Sequence, residues 1–257
     1  MVRRHDKMGE RRRGRRWLRY LAGGLAILVA AILLWLGYIG AFGGRLYVEF
    51  PAKGASLAAQ HDVAAVIFSG DMGLKLGMGP RIAARLTAAG VPVIGVNSLV
   101  YFRKRRTPDE VEAYIAAAIR HAMQTTGARK IILIGQSYGA DMLHVGLAGL
   151  PAAARKPVIL VALVVPTDSV YFRISPVEWL EWPPPDAEAL PTARALTWVP
   201  AICVRGVEET NSLCPMLHQP NVEQVVLPGG HALHGDSPAL AAPLLNKIRA
   251  VLAALHD

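Results

Sequence analysis

The chain has 257 residues, 53% of them hydrophobic, and a formal net charge of +9. That length suits one substantial domain with an appendage. Nine basic residues against two acidic ones precede residue 20, a local +7 that leaves only +2 for the rest of the chain. A nucleic-acid binder would carry such charge on its folded part, so nucleic acid is excluded as an expected partner.

In chain order, residues 1–19 read as a basic tail and residues 20–42 as a membrane helix. No charged residue interrupts LAGGLAILVAAILLWLGYIGAF, and about 20 apolar residues span a bilayer core. Basic residues before such a run hold their end in the cytoplasm, so the rest of the chain is expected to be exported. The apolar run is longer than a signal-peptide core, and its one passable cleavage site is Ala41-Phe42-Gly43. An uncleaved anchor is therefore expected. Residues 43–61 read as a linker with one short strand, LYVEF.

From residue 62 to 257 apolar runs alternate with helical patterns. Strands are predicted at 63–68, 91–96, 130–135, 158–165, 200–206 and 223–229, and helices at 78–90, 108–126, 138–149 and 237–256. Thr107-Pro108-Asp109-Glu110 supplies a cap, a first-turn proline and acids at the positive end of a helix dipole. Near-continuous apolar strands separated by helices indicate an α/β fold with a mostly parallel sheet covered on both faces. Residues 166–199, with WPPPD among them, read as an irregular excursion over the sheet's rim.

GQSYG, residues 135–139, follows a predicted strand and precedes a predicted helix. That is the setting of a nucleophile elbow, in which Ser137 stands above the sheet and the Tyr138 amide faces an oxyanion hole. On such a fold the acid and then the histidine follow the serine in the chain. LPGGHALHGD places His231 after the last strand, and His231 is the expected base. His234 forms an H-x-x-H pair with it, but no third ligand stands out, so neither a metal nor a cofactor is expected. The acid belongs in CVRGVEETNSLC. Glu209, three residues after Gly206, is the first choice and Glu208 the alternative.

FSGDMG, after the first core strand, offers amides of Gly70, Asp71 and Met72 as the second oxyanion donor. No phosphate-loop or dinucleotide glycine pattern occurs. Asp71 and Asp141 are candidates to shape the pocket or meet a cationic substrate group. Arg103 and Arg106, in YFRKRRTP, are candidate contacts for a phosphate headgroup or membrane surface, though a solvated charged face is the first reading of such a run. Cys203 and Cys214 are the only cysteines. In an exported domain they are expected to form a disulfide stapling the acid's loop, the other reading being two buried thiols.

Taken in order, IFSGDMG, GVPVIGVNSLVYFRKRRTP, LIGQSYGADML, CVRGVEETNSLC and LPGGHALHGD resemble the bacterial virulence-protein family VirJ/AcvB over roughly residues 62–255. The resemblance implies a compact α/β-hydrolase acting in the periplasm on aminoacyl-phosphatidylglycerol, with Ser137 as nucleophile and His231 from the GGH block. The chain departs from the family's usual Gly-Asp-Gly-Gly-Trp with Gly70-Asp71-Met72-Gly73-Leu74, and from GGHHF with Gly-Gly-His-Ala-Leu. The expected function is thus a serine esterase of the bacterial inner membrane that removes lysine or alanine from a phospholipid. An envelope secretion accessory protein without activity, and a general carboxylesterase or lipase, are the alternatives.

Overall fold

The computed structural model describes residues 3–53, 62–175 and 183–255. They fall into two units, 1–43 and 44–257.

The first unit is a single helix, α1 (Arg3–Ile39). Its segment Arg19–Ile39 is long and apolar enough to cross a membrane. Leu25, Ile27, Leu28 and Leu34 are exposed there. The helix runs without a break through residues 3–19, which the sequence suggests as a separate tail.

The second unit is built on a seven-stranded sheet. Its strands are β1 (Tyr47–Phe50), β2 (Val63–Phe68), β3 (Val93–Val96), β4 (Lys130–Gln136), β5 (Val158–Val164), β6 (Ala201–Gly206) and β7 (Val222–Leu227). The spatial order is β1-β3-β2-β4-β5-β6-β7. Every pairing is parallel except β1 with β3, where Tyr47 faces Val96 and Phe50 faces Val93. β1 therefore draws the expected linker into the sheet as an edge strand. Residues 54–61 of that linker lie outside the described residues, as do 176–182 of the rim excursion.

Four helices cover the sheet: α2 (Gly79–Ala88), α3 (Pro108–Thr126), α4 (Tyr138–Gly149) and α5 (Ser237–Ala254). α2 and α5 close one face, where Ile82, Leu86, Leu240, Leu244 and Ile248 pack on Ala65, Ile67, Ile132 and Ile134. α3 and α4 close the other face. α3 starts at a capping box between Thr107 and Glu110 and stops at Gly127 in the left-handed conformation, as its sequence dictates. β2 is buried at every position, so its run of apolar residues needs no alternation.

β2 is the first core strand, and β3 and β4 lie on opposite sides of it. The order reverses there, and in open α/β sheets the crevice beyond the carboxyl ends at such a point is where ligands bind. The loops that follow β2 and β4 carry FSGDMG and GQSYG. Between β5 and β6 the excursion forms a two-residue strand pair, Ser169–Val170 with Ala187–Glu188, and a short helix, Leu190–Arg194.

Candidate active site

Ser137 occupies the turn between β4 and α4 with φ 53° and ψ −126°. A serine in this region costs on the order of 1–3 kcal/mol, a strain that persists only where surrounding structure enforces it. The two glycines show how. A side-chain carbon on Gly139 would lie 2.3 Å from the Phe68 carbonyl oxygen, and one on Gly135 would lie 2.5 Å from the Ala140 Cα. Both glycines are required because strand, elbow and helix approach too closely for any other residue. The Ser137 amide donates to the Val164 carbonyl at 2.8 Å, which ties the elbow to β5.

His231 lies in the loop after β7, half-exposed, with Nε2 2.7 Å from Ser137 Oγ. Its Nδ1 is 2.8 Å from Glu209 Oε1. An ionised carboxylate only accepts, so Nδ1 carries the hydrogen and Nε2 is left to accept the serine proton. Glu209 Oε2 accepts the Gly206 amide at 2.7 Å, and its side chain is 2% exposed. Glu208 is exposed and is not the histidine's partner. A side-chain carbon on Gly206 would lie 2.3 Å from the Gly229 carbonyl oxygen, so the acid's turn and the histidine's loop pack backbone against backbone. The hydrogen bond that His231 donates to Glu209 raises the His231 pKa above its ordinary value; burial opposes it, and the charges of Glu209, Asp141 and Asp71 add to it.

Cys203 and Cys214 form a disulfide. Both are fully buried, and the bridge closes the loop that carries Glu209 and Asn211. His234 packs against Gly229 and so braces the loop of His231 rather than reaching the serine.

Two cavities meet at Ser137 and share Asp71. The narrower, about 230 Å³, is the more polar of the two: Tyr138, Asp141, Thr167, Ser169, Arg173 and Asn211 line it with Ser137, beside the apolar Ile174. The wider, about 480 Å³, is lined by Gly70, Met72, Leu76, Met78, Arg81 and Gln136 together with Ser137 and His231. The loop offered as an oxyanion donor thus borders the wider cavity, and Tyr138 the narrower.

Asp141 is 5% exposed and receives the Thr167 amide at 2.8 Å. Burial pushes its carboxyl up to about 8, against the two Thr167 hydrogen bonds and His231, which lower it. Its second oxygen is 3.0 Å from Thr167 Oγ1, which is also 2.9 Å from the Ser169 carbonyl oxygen. A hydroxyl has one hydrogen, and a carbonyl can only accept it. A protonated Asp141 satisfies both contacts by donating to Thr167, which donates to Ser169.

Arg103 and Arg106, candidate contacts for a headgroup, line neither cavity. Arg103 Nε donates to the Val100 carbonyl at 3.1 Å. Arg106 pairs with Glu110 at 2.9 Å, donates to the Tyr101 carbonyl and stacks over the Tyr101 ring. Their loop is braced by its own arginines. Arg173 borders the narrower cavity instead, and neither it nor Thr167, Ser169 and Asn211 carries a motif that would single it out.

The family model described as bacterial virulence protein (VirJ) matches residues 62–252. Among solved structures, the chain is similar to a proline iminopeptidase of Mycobacterium smegmatis, at 13% identity and TM-score 0.58 over 81% of this chain and 95% of that one. It is similar to an alpha-beta serine hydrolase homologue from Coxiella burnetii, at 18% identity and TM-score 0.55 over 78% and 90%. The third is Est1E from Butyrivibrio proteoclasticus, at 14% identity and TM-score 0.57 over 79% and 94%. These likenesses establish an α/β-hydrolase fold. No curated protein matches the chain.

Proposed function

The chain belongs to the VirJ bacterial virulence-protein family and has the α/β-hydrolase fold, and from this premise we propose that it is a membrane-anchored serine esterase that removes the aminoacyl group from aminoacyl-phosphatidylglycerol. The single observation that carries the hydrolytic reading is the unbroken chain of short hydrogen bonds from Ser137 Oγ through His231 to Glu209.

The chemistry follows from that chain. His231 Nε2 takes the serine proton as Oγ attacks the ester carbonyl, and Glu209 holds the imidazolium that forms. Amides of the Gly70–Met72 loop and of Tyr138 receive the oxyanion. The imidazolium then protonates the departing glycerol oxygen. Water, deprotonated by His231, cleaves the acyl-enzyme to free amino acid and restores Ser137.

The substrate reading draws support from the cavities. An aminoacyl group is small and carries an ammonium, and the narrower cavity sets the Asp71 carboxylate beside Ser137. The anchor fits a lipid substrate, since it holds the domain beside the bilayer. A position on the outer side of the bacterial inner membrane accords with basic residues ahead of the apolar helix and with a buried disulfide.

The test uses the full chain in neutral-detergent micelles, alongside Ser137→Ala, with lysyl- and alanyl-phosphatidylglycerol and with short acyl esters. Release of amino acid by the wild type alone upholds the proposal. Turnover of short acyl esters with none of either lipid rejects the substrate in favour of a general carboxylesterase. No turnover of any ester favours the non-enzymatic accessory role.

A further inference from the structure

The wider cavity has a wall that the hydrolytic chemistry does not use. It is formed by the head of α2, where Gly77, Met78 and Arg81 face the space that Ser137 and His231 border from the other side. α2 starts at Met78 without a side-chain cap and with no acid in its first turn. Pro80 in the first turn has no N–H, so the first-turn amides are those of Gly79 and Arg81, and no acid of the helix's own offsets the positive end of its dipole. Arg81 is steadied at the mouth by a hydrogen bond from Nη1 to the Gly235 carbonyl at 2.9 Å. The rest of its guanidinium makes no other hydrogen bond among the described residues.

Gln136, directly before the serine, supplies an independent sign. It is 9% exposed, it lines this cavity, and its carboxamide makes no hydrogen bond among the described residues. Its amide is open to the cavity, so a ligand there can accept a hydrogen bond from it. A helix start, a guanidinium fork and a carboxamide that border one space form an anion site. The acid in the same cavity is Asp71, at the junction with the narrower one. Met72, Leu76 and Met78 give the remaining wall an apolar lining, suited to the carbon chain between an anion and the ester.

We infer that the head of α2, with Arg81 and Gln136, is a phosphate subsite that holds the leaving alcohol of the substrate on the side of Ser137 away from the polar cavity. This rests on the hydrolase reading for the direction of the substrate, though not for the existence of the subsite. The acyl group then sits towards Asp141 and the phosphorylated alcohol towards Arg81, which fixes the substrate's polarity across the serine.

The test is binding, which needs no turnover. The full chain in neutral-detergent micelles is titrated calorimetrically with glycerophosphoglycerol, a phosphodiester, and separately with inorganic phosphate, as wild type, Arg81→Gln and Gln136→Leu. One saturable site is expected, weakened about tenfold or more in Arg81→Gln, as for loss of a charge-assisted hydrogen bond, and by less in Gln136→Leu. Tighter binding of the diester assigns the subsite to a lipid headgroup, and tighter binding of inorganic phosphate to a soluble phosphate ester; both uphold it. Absence of saturable binding to the wild type, or equal affinity in wild type and Arg81→Gln, overturns it. Should the ester assays fail while this binding persists, the subsite stands and the hydrolase reading alone falls.

Discussion

Glu209 accepts the amide of Gly206 through Oε2 at 2.7 Å while Oε1 takes the Nδ1 hydrogen of His231. The acid is thus fixed by the turn that bears it, three residues on from the end of β6, and has one side-chain oxygen left for the imidazole. Replacing Glu209 with Gln leaves shape and volume but presents a neutral amide to Nδ1, which permits the wrong tautomer. Ester hydrolysis should fall by about 10²–10⁴-fold. Glu208→Gln should stay within about twofold of the wild type, because Glu208 is exposed and surface changes are nearly neutral. Steady-state kinetics on a short acyl ester distinguish the two glutamates.

The pH dependence has a worked sign. His231 must be neutral to take the serine proton, and Glu209 raises its pKa. The acidic limb of kcat/KM is therefore expected with a midpoint above the ordinary histidine value of about 6.5, and Glu209→Gln should move it to lower pH. Stability runs the other way. A raised histidine pKa stabilises the fold fully below the unfolded value, and that contribution is lost as pH rises through the folded one. The charged pair thus stabilises the domain where the serine is inactive.

Asp141 has the opposite chemistry with the same sign. Its carboxyl is pushed up to about 8 by burial, so the folded state favours the protonated form. Relative to the unfolded chain it becomes costlier as pH rises from the ordinary carboxylate range towards 8, and levels off above. Asn at this position keeps an acceptor for the Thr167 amide and a donor for Thr167 Oγ1, and so mimics the protonated acid. The thermal midpoint of Asp141→Asn relative to the wild type should rise between pH 5 and pH 8.5. A difference that stays flat across that range would show that Asp141 does not titrate there.

The disulfide holds the acid's loop. Replacing both Cys203 and Cys214 with Ala removes a constraint of about 2–4 kcal/mol, or roughly 5–15 °C in Tm for a domain of this size. Hydrolysis should fall as well, because the bridge closes over Glu209. Differential scanning calorimetry and ester kinetics on the same preparation separate lost stability from lost activity.

Gly139→Ala tests the elbow's geometry. The added carbon meets the Phe68 carbonyl at 2.3 Å and the Ser69 carbonyl at 2.5 Å, and backbone cannot rotate away as a side chain can. A loss of about 1–3 kcal/mol or more is expected, with Ser137 displaced from His231. Denaturant unfolding followed by intrinsic fluorescence reads the first effect, and the ester rate reads the second.

Much of this site is legible from local sequence. The glycines around Ser137 mark a close approach, and the apolar runs before Ser137 and His231 mark the ends of neighbouring strands. The capping box at Thr107 fixes the start of α3 to the residue. What is not legible depends on long-range placement. The spacing after Gly206 favours Glu209, but setting Glu208 aside needs the turn in which the Glu209 amide donates to the Gly206 carbonyl at 3.3 Å. Thr167 reaches Asp141 across 26 residues, from a stretch without periodicity. LYVEF pairs with β3 through backbone groups, which a composition typical of linkers does not announce. Arg106 looks available in sequence because nothing there shows that the Tyr101 carbonyl and Glu110 already occupy it.

The most direct measurement is covalent trapping at Ser137. The full chain in detergent is treated with a fluorophosphonate at neutral pH, digested and read by mass spectrometry, beside His231→Ala and Ser137→Ala. A single adduct on Ser137, slowed by orders of magnitude in His231→Ala, is the expected result. An unmodified Ser137 in folded wild-type protein, or labelling at the same rate without His231, would contradict an activated serine here.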